Sequence, residues 1–160
     1  MEGEKDNFWE KIDLVQITKK YLLKNLDSFF ALERNWTVLG EDAWNRENFL
    51  MELPLKWRLS FAAEADGKII GYLIGSKFDE KTSRVNKILV DSKHRKMGVG
   101  RKLMERYFEA CRREGIERLE LKALVENAAA NRLYVGLGYK KAGLAEGDDG
   151  RVRLVYEKIP

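Results

Sequence analysis

The 160-residue sequence predicts a single α+β domain: a mixed, mostly antiparallel sheet of six or seven strands flanked by about four helices. Three observations carry that expectation. Asp66–Gly67 separates two runs rich in strand-forming residues, which is a strong short-range hairpin signal. Val99, Leu103, Met104, Tyr107, Phe108 and Cys111 share one face of a helix over residues 98–114, with Gly115 placed to stop it. Val152, Leu154 and Tyr156 alternate behind a Gly-Asp-Asp-Gly turn at 147–150, as a closing strand does.

The remaining elements follow in chain order. Residues 9–17 alternate around Ile12, Leu14 and Ile17 and predict a first strand. Leu22, Leu23, Leu26, Phe29, Phe30 and Ala31 recur at helical spacing and predict one helix over 18–35. A second helix starts at Asp42 or Asn45, carries Phe49, Leu50 and Leu53, and stops at Pro54, which disfavours helical geometry in the residue before it. Trp57, Leu59, Phe61 and Ala63 alternate into the hairpin, and a strand covers 85–90. After the helix at 98–114 come a strand at 117–124, a short helix at 128–137, and strands at 139–145 and 151–159. The order is β-α-α-β-β-β-α-β-α-β-β. No repeat, linker or low-complexity run divides the chain, so one domain over 1–160 is expected.

Composition bounds the function. Apolar residues make up 44% and charged residues 35%, with two prolines, which marks an ordered chain. No stretch reaches the roughly 20 apolar residues a membrane helix needs. The polar start MEGEKDNFWEKID lacks the apolar core of a secretory signal. No membrane partner is expected, and the expected setting is cytoplasmic. Cys111 stands alone, so no internal disulfide forms, and its place on an apolar stripe reads as a small buried hydrophobe. With His94 the only histidine, neither a histidine metal cluster nor a Ser–His–Asp triad is expected, and no metal is expected. A net charge of +4 suits a phosphate-bearing partner. Nucleic acid is not the expected one, because the cations cluster at one loop and no aromatic-rich strand accompanies them. A monomer or homodimer is expected.

The informative segment runs from Ile88 through Leu89 and Val90 to Arg101. It is a strand end, a basic loop with Lys93, Arg95 and Lys96, then Gly98-Val99-Gly100 opening a helix. The two glycines remove side chains where a ligand can approach backbone. The first amides of a helix present positive dipole to an anion. Together they form a candidate pyrophosphate cradle. The segment is neither a P-loop nor a dinucleotide fingerprint, since no Gly-Lys-Ser/Thr follows and position 103 is Leu. A tight turn with a solvated charge run is the plainer reading of the same residues.

Arg95-x-x-Gly98-x-Gly100 resembles the Gln/Arg-x-x-Gly-x-Gly/Ala signature of the GNAT acetyltransferases. Asn127-x-x-Ala130-x-x-Leu133-Tyr134-x-x-x-Gly138-Tyr139 resembles that family's second signature, in the expected order and spacing. The resemblance covers about residues 57 to 158. It implies acetyl-CoA as cofactor and transfer of its acetyl group directly to a primary amine of a small molecule or protein. It also implies a division of labour. Backbone groups of Ile88, Leu89 and Val90 would pair with the pantetheine arm between two splayed strands. Amides from Lys96, Met97, Gly98, Val99, Gly100 and Arg101, with Arg95, would hold the pyrophosphate. A backbone N–H near Val90 would polarise the thioester carbonyl. Asn127 would contact the cofactor, and it also reads as the N-cap of the helix behind it. Tyr134 would protonate the leaving thiolate, and it also reads as a core residue beside Leu133 and Leu137. The lone Cys111 argues against an acetyl-cysteine step. The other class open to these residues is a non-catalytic acyl-CoA-binding or regulatory domain.

The chain departs from its family's pattern on the acceptor side. Arg84 to Val90 hold no acid, although some members place a glutamate on that strand. Lys122 stands where the bacterial ribosomal-protein acetyltransferases carry a glutamate, and Leu124 where they carry an arginine. The candidate bases are therefore Glu33, Glu41, Asp42, Glu47 and Glu64, each of which also reads as a solvated surface acid, or a water chain. Trp36 and Trp44 are candidates for an aromatic acceptor wall.

Overall fold

The computed structural model describes residues 11–35 and 43–160. Seven strands form one sheet in the order β1-β2-β3-β4-β5-β7-β6. They are β1 (Ile12–Gln16), β2 (Phe61–Ala65), β3 (Lys68–Lys77), β4 (Thr82–Val90), β5 (Arg118–Leu124), β6 (Lys140–Glu146) and β7 (Val152–Lys158). All neighbours pair antiparallel except β4 and β5, which run parallel. Among the described residues five α-helices flank the sheet: α1 (Lys19–Lys24), α2 (Leu26–Asn35), α3 (Arg46–Leu50), α4 (Val99–Arg113) and α5 (Ala128–Gly136). This is the predicted α+β mixed sheet, with one helix more than expected.

The extra helix arises at Asn25. Its side-chain amide donates to the Tyr21 carbonyl at 2.9 Å, and its own backbone is displaced from helical geometry with ψ at 16°. An asparagine that competes for backbone partners interrupts the helix expected over 18–35. The apolar spacing continues across the break, which is why periodicity alone reads one element. β2 starts at Phe61 rather than Trp57, because turns wind residues 54–59 behind Pro54 and Leu55 adopts φ 58°. β4 starts at Thr82, earlier than residue 85, because Thr82 to Arg84 find partners on both sides. Glu41, Asp42, Trp36 and the start of the first expected strand lie outside the described residues.

Two apolar layers sandwich the sheet. On one side α4 sets Val99, Leu103, Met104, Tyr107 and Cys111 against Leu73, Leu119 and Leu121. Each of those side chains contributes about 1.5–3 kcal/mol on burial. Gly75 is required here: a Cβ would come within 2.7 Å of both the Leu59 carbonyl and the Tyr107 ring. On the other side Leu22, Leu26, Phe29, Leu32 and Phe49 pack on Ala62, Tyr72, Ile74 and Leu89. Lys56 is buried, and its ammonium donates to the carbonyls of Phe49 and Met51, closing the end of α3. Among the described residues no helix is long and apolar enough to cross a membrane.

Candidate functional site

The sheet is open at its centre. β4 and β5 pair only at Thr82–Arg118, Ser83–Leu119 and Arg84–Glu120, then part company. Arg84 and Glu120 form an ion pair of 2.9 Å at the fork. On its other edge β4 stays paired with β3 as far as Val90, with Asn86 left over as a bulge between Lys87 and Val85. Asp91 donates its N–H to Ile70 on the β3 side at 2.8 Å. Alternation along a strand then turns the backbone groups of Leu89 toward β3 and those of Ile88 and Val90 toward the gap. Backbone donors and acceptors left unpaired at such an edge are a template for another extended chain.

The gap is the mouth of a cleft of about 620 Å³. Ile88, Asn127, Ala130 and Tyr134 line it, with Arg84, Lys87, Glu120, Lys122 and Trp44 on its walls. Asn127 caps α5 by accepting from the Ala130 amide at 3.2 Å. Tyr134 is 5% exposed, with its ring 5.7 Å from that of Tyr156 and 5.9 Å from that of Tyr139. It is at once a core ring and a cleft residue.

The glycine loop meets the same region. Ser92–His94 form a 3₁₀ turn, and His94 Nδ1 lies 2.9 Å from the Asp91 carboxylate. Lys96 and Gly98 then adopt φ 60° and 83°. A lysine in that conformation costs roughly 1–2 kcal/mol, so the curl is imposed by its surroundings. Gly98 stands at the N-cap of α4 and supplies no side-chain cap. The helix therefore begins with amides that only an outside acceptor would satisfy. Arg95 and Lys96 are exposed, Met97 and Gly100 half-buried, and Val99 is core. A Cβ on Gly100 would lie 3.4 Å from Leu133 and 3.8 Å from Val90, which puts the start of α4 beside both α5 and the end of β4. Arg101 pairs with Glu105 at 3.7 Å, and its other Nη would lie 3.7 Å from a Cβ on Gly136. Structure thus brings together the loop, the strand end and the Asn127–Tyr134 helix. Arg95 and Lys96 do not line the cleft itself.

These residues fit a long phosphorylated thiol ester. The open β4 edge suits an extended amide-bearing arm, and uncapped amides beside cations suit phosphates. Among the described residues no group of His, Cys, Asp or Glu is arranged to hold a metal. Burial pushes the Cys111 thiol up to about 11, so it stays protonated and inert.

The candidate bases separate sharply. Glu33 is 2% exposed, not solvated. It accepts from the Trp44 amide at 3.1 Å and from the Tyr72 hydroxyl, and lies 3.5 Å from the Lys87 ammonium. Burial, then the Glu33 charge, pushes the Tyr72 hydroxyl well above the usual tyrosine range, so it remains a donor. Glu33 is saturated and roofed. Its position four residues after Phe29 and seven after Leu26 places it on the apolar stripe, a signal that burial was coming. Glu64 is half-buried and receives the Tyr21 hydroxyl at 2.6 Å. Glu47 is exposed in the first turn of α3. Sequence reasoning missed Arg84, Lys87, Glu120, Asp148, Asp149 and Arg153 as cleft residues, because strand register and a turn from the far end of the chain bring them together.

Comparison with known proteins agrees with this geometry. The family model of the GNAT acetyltransferases matches residues 24–139. The ribosomal protein bS18-alanine N-acetyltransferase of Escherichia coli strain K12 is 26% identical over 121 residues, covering 73% of this chain and 80% of the relative. Ard1 from Thermoplasma volcanium superposes with a TM-score of 0.78 at 20% identity, over 93% of this chain and 97% of that one. Arabidopsis thaliana Naa50, in complex with the bisubstrate analogue CoA-Ac-MVNAL, gives 0.72 at 16% identity over 92% and 98%.

Proposed function

The chain belongs to the GNAT acetyltransferase family and is an acetyl-CoA-dependent N-acetyltransferase, and we propose that its β4–β5 fork is where the acetyl group passes directly to an amine. The observation that carries this reading is the fork itself: an unpaired strand edge and a buried tyrosine line one cleft, and a helix start without a cap lies beside the end of that strand and the helix that carries the tyrosine. Acetyl-CoA supplies a thioester, whose carbonyl carbon bonds to the amine nitrogen as its C–S bond breaks.

Each residue has a definite part in the proposal. The backbone of Ile88 and Val90 binds the pantetheine arm, and an N–H at Val90 polarises the thioester oxygen. Leu89 packs beneath them. Amides from Lys96, Met97, Gly98, Val99, Gly100 and Arg101 hold the pyrophosphate, with the Arg95 side chain adding charge. Asn127 combines its cap with a cofactor contact. Tyr134 gives its hydroxyl proton to the departing sulfur. The amine must give up a proton as well. Among the described candidates Glu33 is already committed, Glu64 is held by Tyr21, and Glu47 is not on the cleft wall, so in this reading the proton leaves through water. We place the reaction in one domain over residues 1–160, as monomer or homodimer, in the cytoplasm, where a lone thiol is ordinary.

The test is free-thiol release from acetyl-CoA with and without amines, across a panel of amino acids, polyamines, aminoglycosides and peptides. At least one amine should accelerate release. The rate should climb with pH as that amine deprotonates, toward about 8 for an α-amino group or 10.4 for a lysine. A pH-independent background with every amine would mark a regulatory acyl-CoA-binding domain instead.

A further inference from the structure

The cleft wall opposite α4 carries an uneven set of charges. Arg84, Lys87, Lys122 and Arg153 line it against Glu120, Asp148 and Asp149. Three of the cations are matched: Arg84 by Glu120 at 2.9 Å, Lys87 by buried Glu33 at 3.5 Å, and Arg153 by Asp149 at 2.8 Å. Among the described residues Lys122 enters no ion pair, and neither does Asp148.

The position of Lys122 makes this matter. It follows Glu120, the last residue of β5 paired with β4, by two, so its side chain leaves the same face of the sheet. On the facing strand the bulge at Asn86 brings Lys87 to the corresponding depth beyond Arg84. Lys87 is only 10% exposed and is fixed by Glu33, which Tyr72 and Trp44 also hold. Its charge cannot swing away. The acceptor region just past the fork thus has a fixed ammonium on one wall and an uncommitted one on the other. Glu33 neutralises Lys87, so Lys122 is the cation of the cleft wall left without an ion-pair partner among the described residues. An amine that also carries a negative group would meet complementary charge, since one lysine and one aspartate are left unmatched.

We propose that the acceptor amine bears a carboxylate within a few bonds of its nitrogen, and that Lys122 binds this carboxylate. The inference rests on the acetyl-transfer reading above and narrows it to a substrate class. The carboxylate can come from two sources, the α-carboxyl of a free amino acid or the side chain of an acidic N-terminal residue on a peptide.

Paired acceptors test it. Steady-state thiol release is measured for free amino acids against their carboxamides, and for peptides starting with Asp or Glu against the same peptides starting with Asn or Gln. The amine of a carboxamide is less basic and more of it is free base, so intrinsic reactivity runs against the expected preference. The wild-type enzyme should favour the carboxylate member of at least one pair type by about tenfold in kcat/KM, the scale of one hydrogen bond to a charged group. Lys122→Gln should bring the pair close to parity, mainly through KM, and Lys122→Glu should reverse it. The rise in Tm with CoA should be the same in all three proteins, which reports that they fold and bind cofactor. A wild-type enzyme without carboxylate preference overturns the proposal, as does a preference that survives Lys122→Gln. Acetylation confined to polyamines or uncharged amines also overturns it while leaving the acetyl-transfer reading intact. If no amine in either set or in the wider panel accelerates thiol release, both readings fall.

Discussion

The two sides of the fork are built differently. In the proposed reading the cofactor side is built of backbone: the β4 edge at Ile88 and Val90, the curled loop at Lys96–Gly98 and the uncapped start of α4. Side chains there mostly get out of the way, as at Gly98 and Gly100. The proposed acceptor side is built of charges and rings from five separate places: Trp44 before α3, Lys87 on β4 with Glu33 of α2 behind it, Lys122 on β5 and Asp148 on the β6–β7 turn. A backbone cradle accepts any cofactor with the same phosphates and arm. A wall of paired side chains can change its preference by one substitution. In the proposed reading the contrast separates cofactor binding from the choice of acceptor.

Removing the buried charge on the acceptor side should have the largest effect. Glu33→Met leaves Lys87 and the donors Tyr72 and Trp44 without their shared acceptor, and breaking a buried pair costs about 3–5 kcal/mol. Urea unfolding should show that loss. The protein that remains folded should still gain Tm from CoA, because the cradle lies on the other side.

Breaking the cofactor side should spare stability and abolish binding. Gly98→Asp adds a carboxylate at the uncapped start of α4, and aspartate tolerates positive φ better than most residues. Wild-type protein with CoA at about 100 times its Kd should gain about 2.7 kcal/mol. The variant should gain nothing in the same thermal-shift experiment. Binding as tight as wild type would place the phosphates elsewhere.

Tyr134 stands at the junction and sharpens the division. Tyr134→Phe keeps the ring packed on Tyr139 and Tyr156 and removes only the hydroxyl. We expect kcat to fall about 10- to 1,000-fold with CoA affinity kept, below the full range for a general acid because a thiolate leaves readily and water can replace the proton. Loss of stability and CoA binding together, with turnover per folded molecule unchanged, would make it a structural residue.

The smallest effect should come from Cys111, which belongs to neither side. Its thiol, raised to about 11 by burial, should resist an aromatic disulfide reagent at pH 8 in native protein and react fully in urea. Cys111→Ala should keep turnover within about twofold and cost about 1 kcal/mol of stability, the price of a small cavity.

The amino-acid sequence by itself determined the order of the strands along the chain, the hairpin at Asp66–Gly67, α4 with its buried face, and the glycine loop that opens α4. These depend on interactions within one short segment: helical or alternating periodicity, a turn dipeptide, glycines ahead of a helix. Asn127 and Tyr134, singled out by the family resemblance, both line the cleft. Only the tertiary structure decided that Asn25 splits the first helix and that Glu33 is buried beneath Trp44 against Lys87. It alone fixed the depth of the fork at Arg84–Glu120 and left Lys122 unmatched among the described residues. The break at Asn25 is local, a bond to Tyr21 four residues back, but the burial of Glu33 against Lys87 and the Arg84–Glu120 fork are pairings between residues far apart in the chain. The free energy of such a pairing depends on which strand faces which and on how much water remains between the partners, and a sequence carries that only through the completed fold.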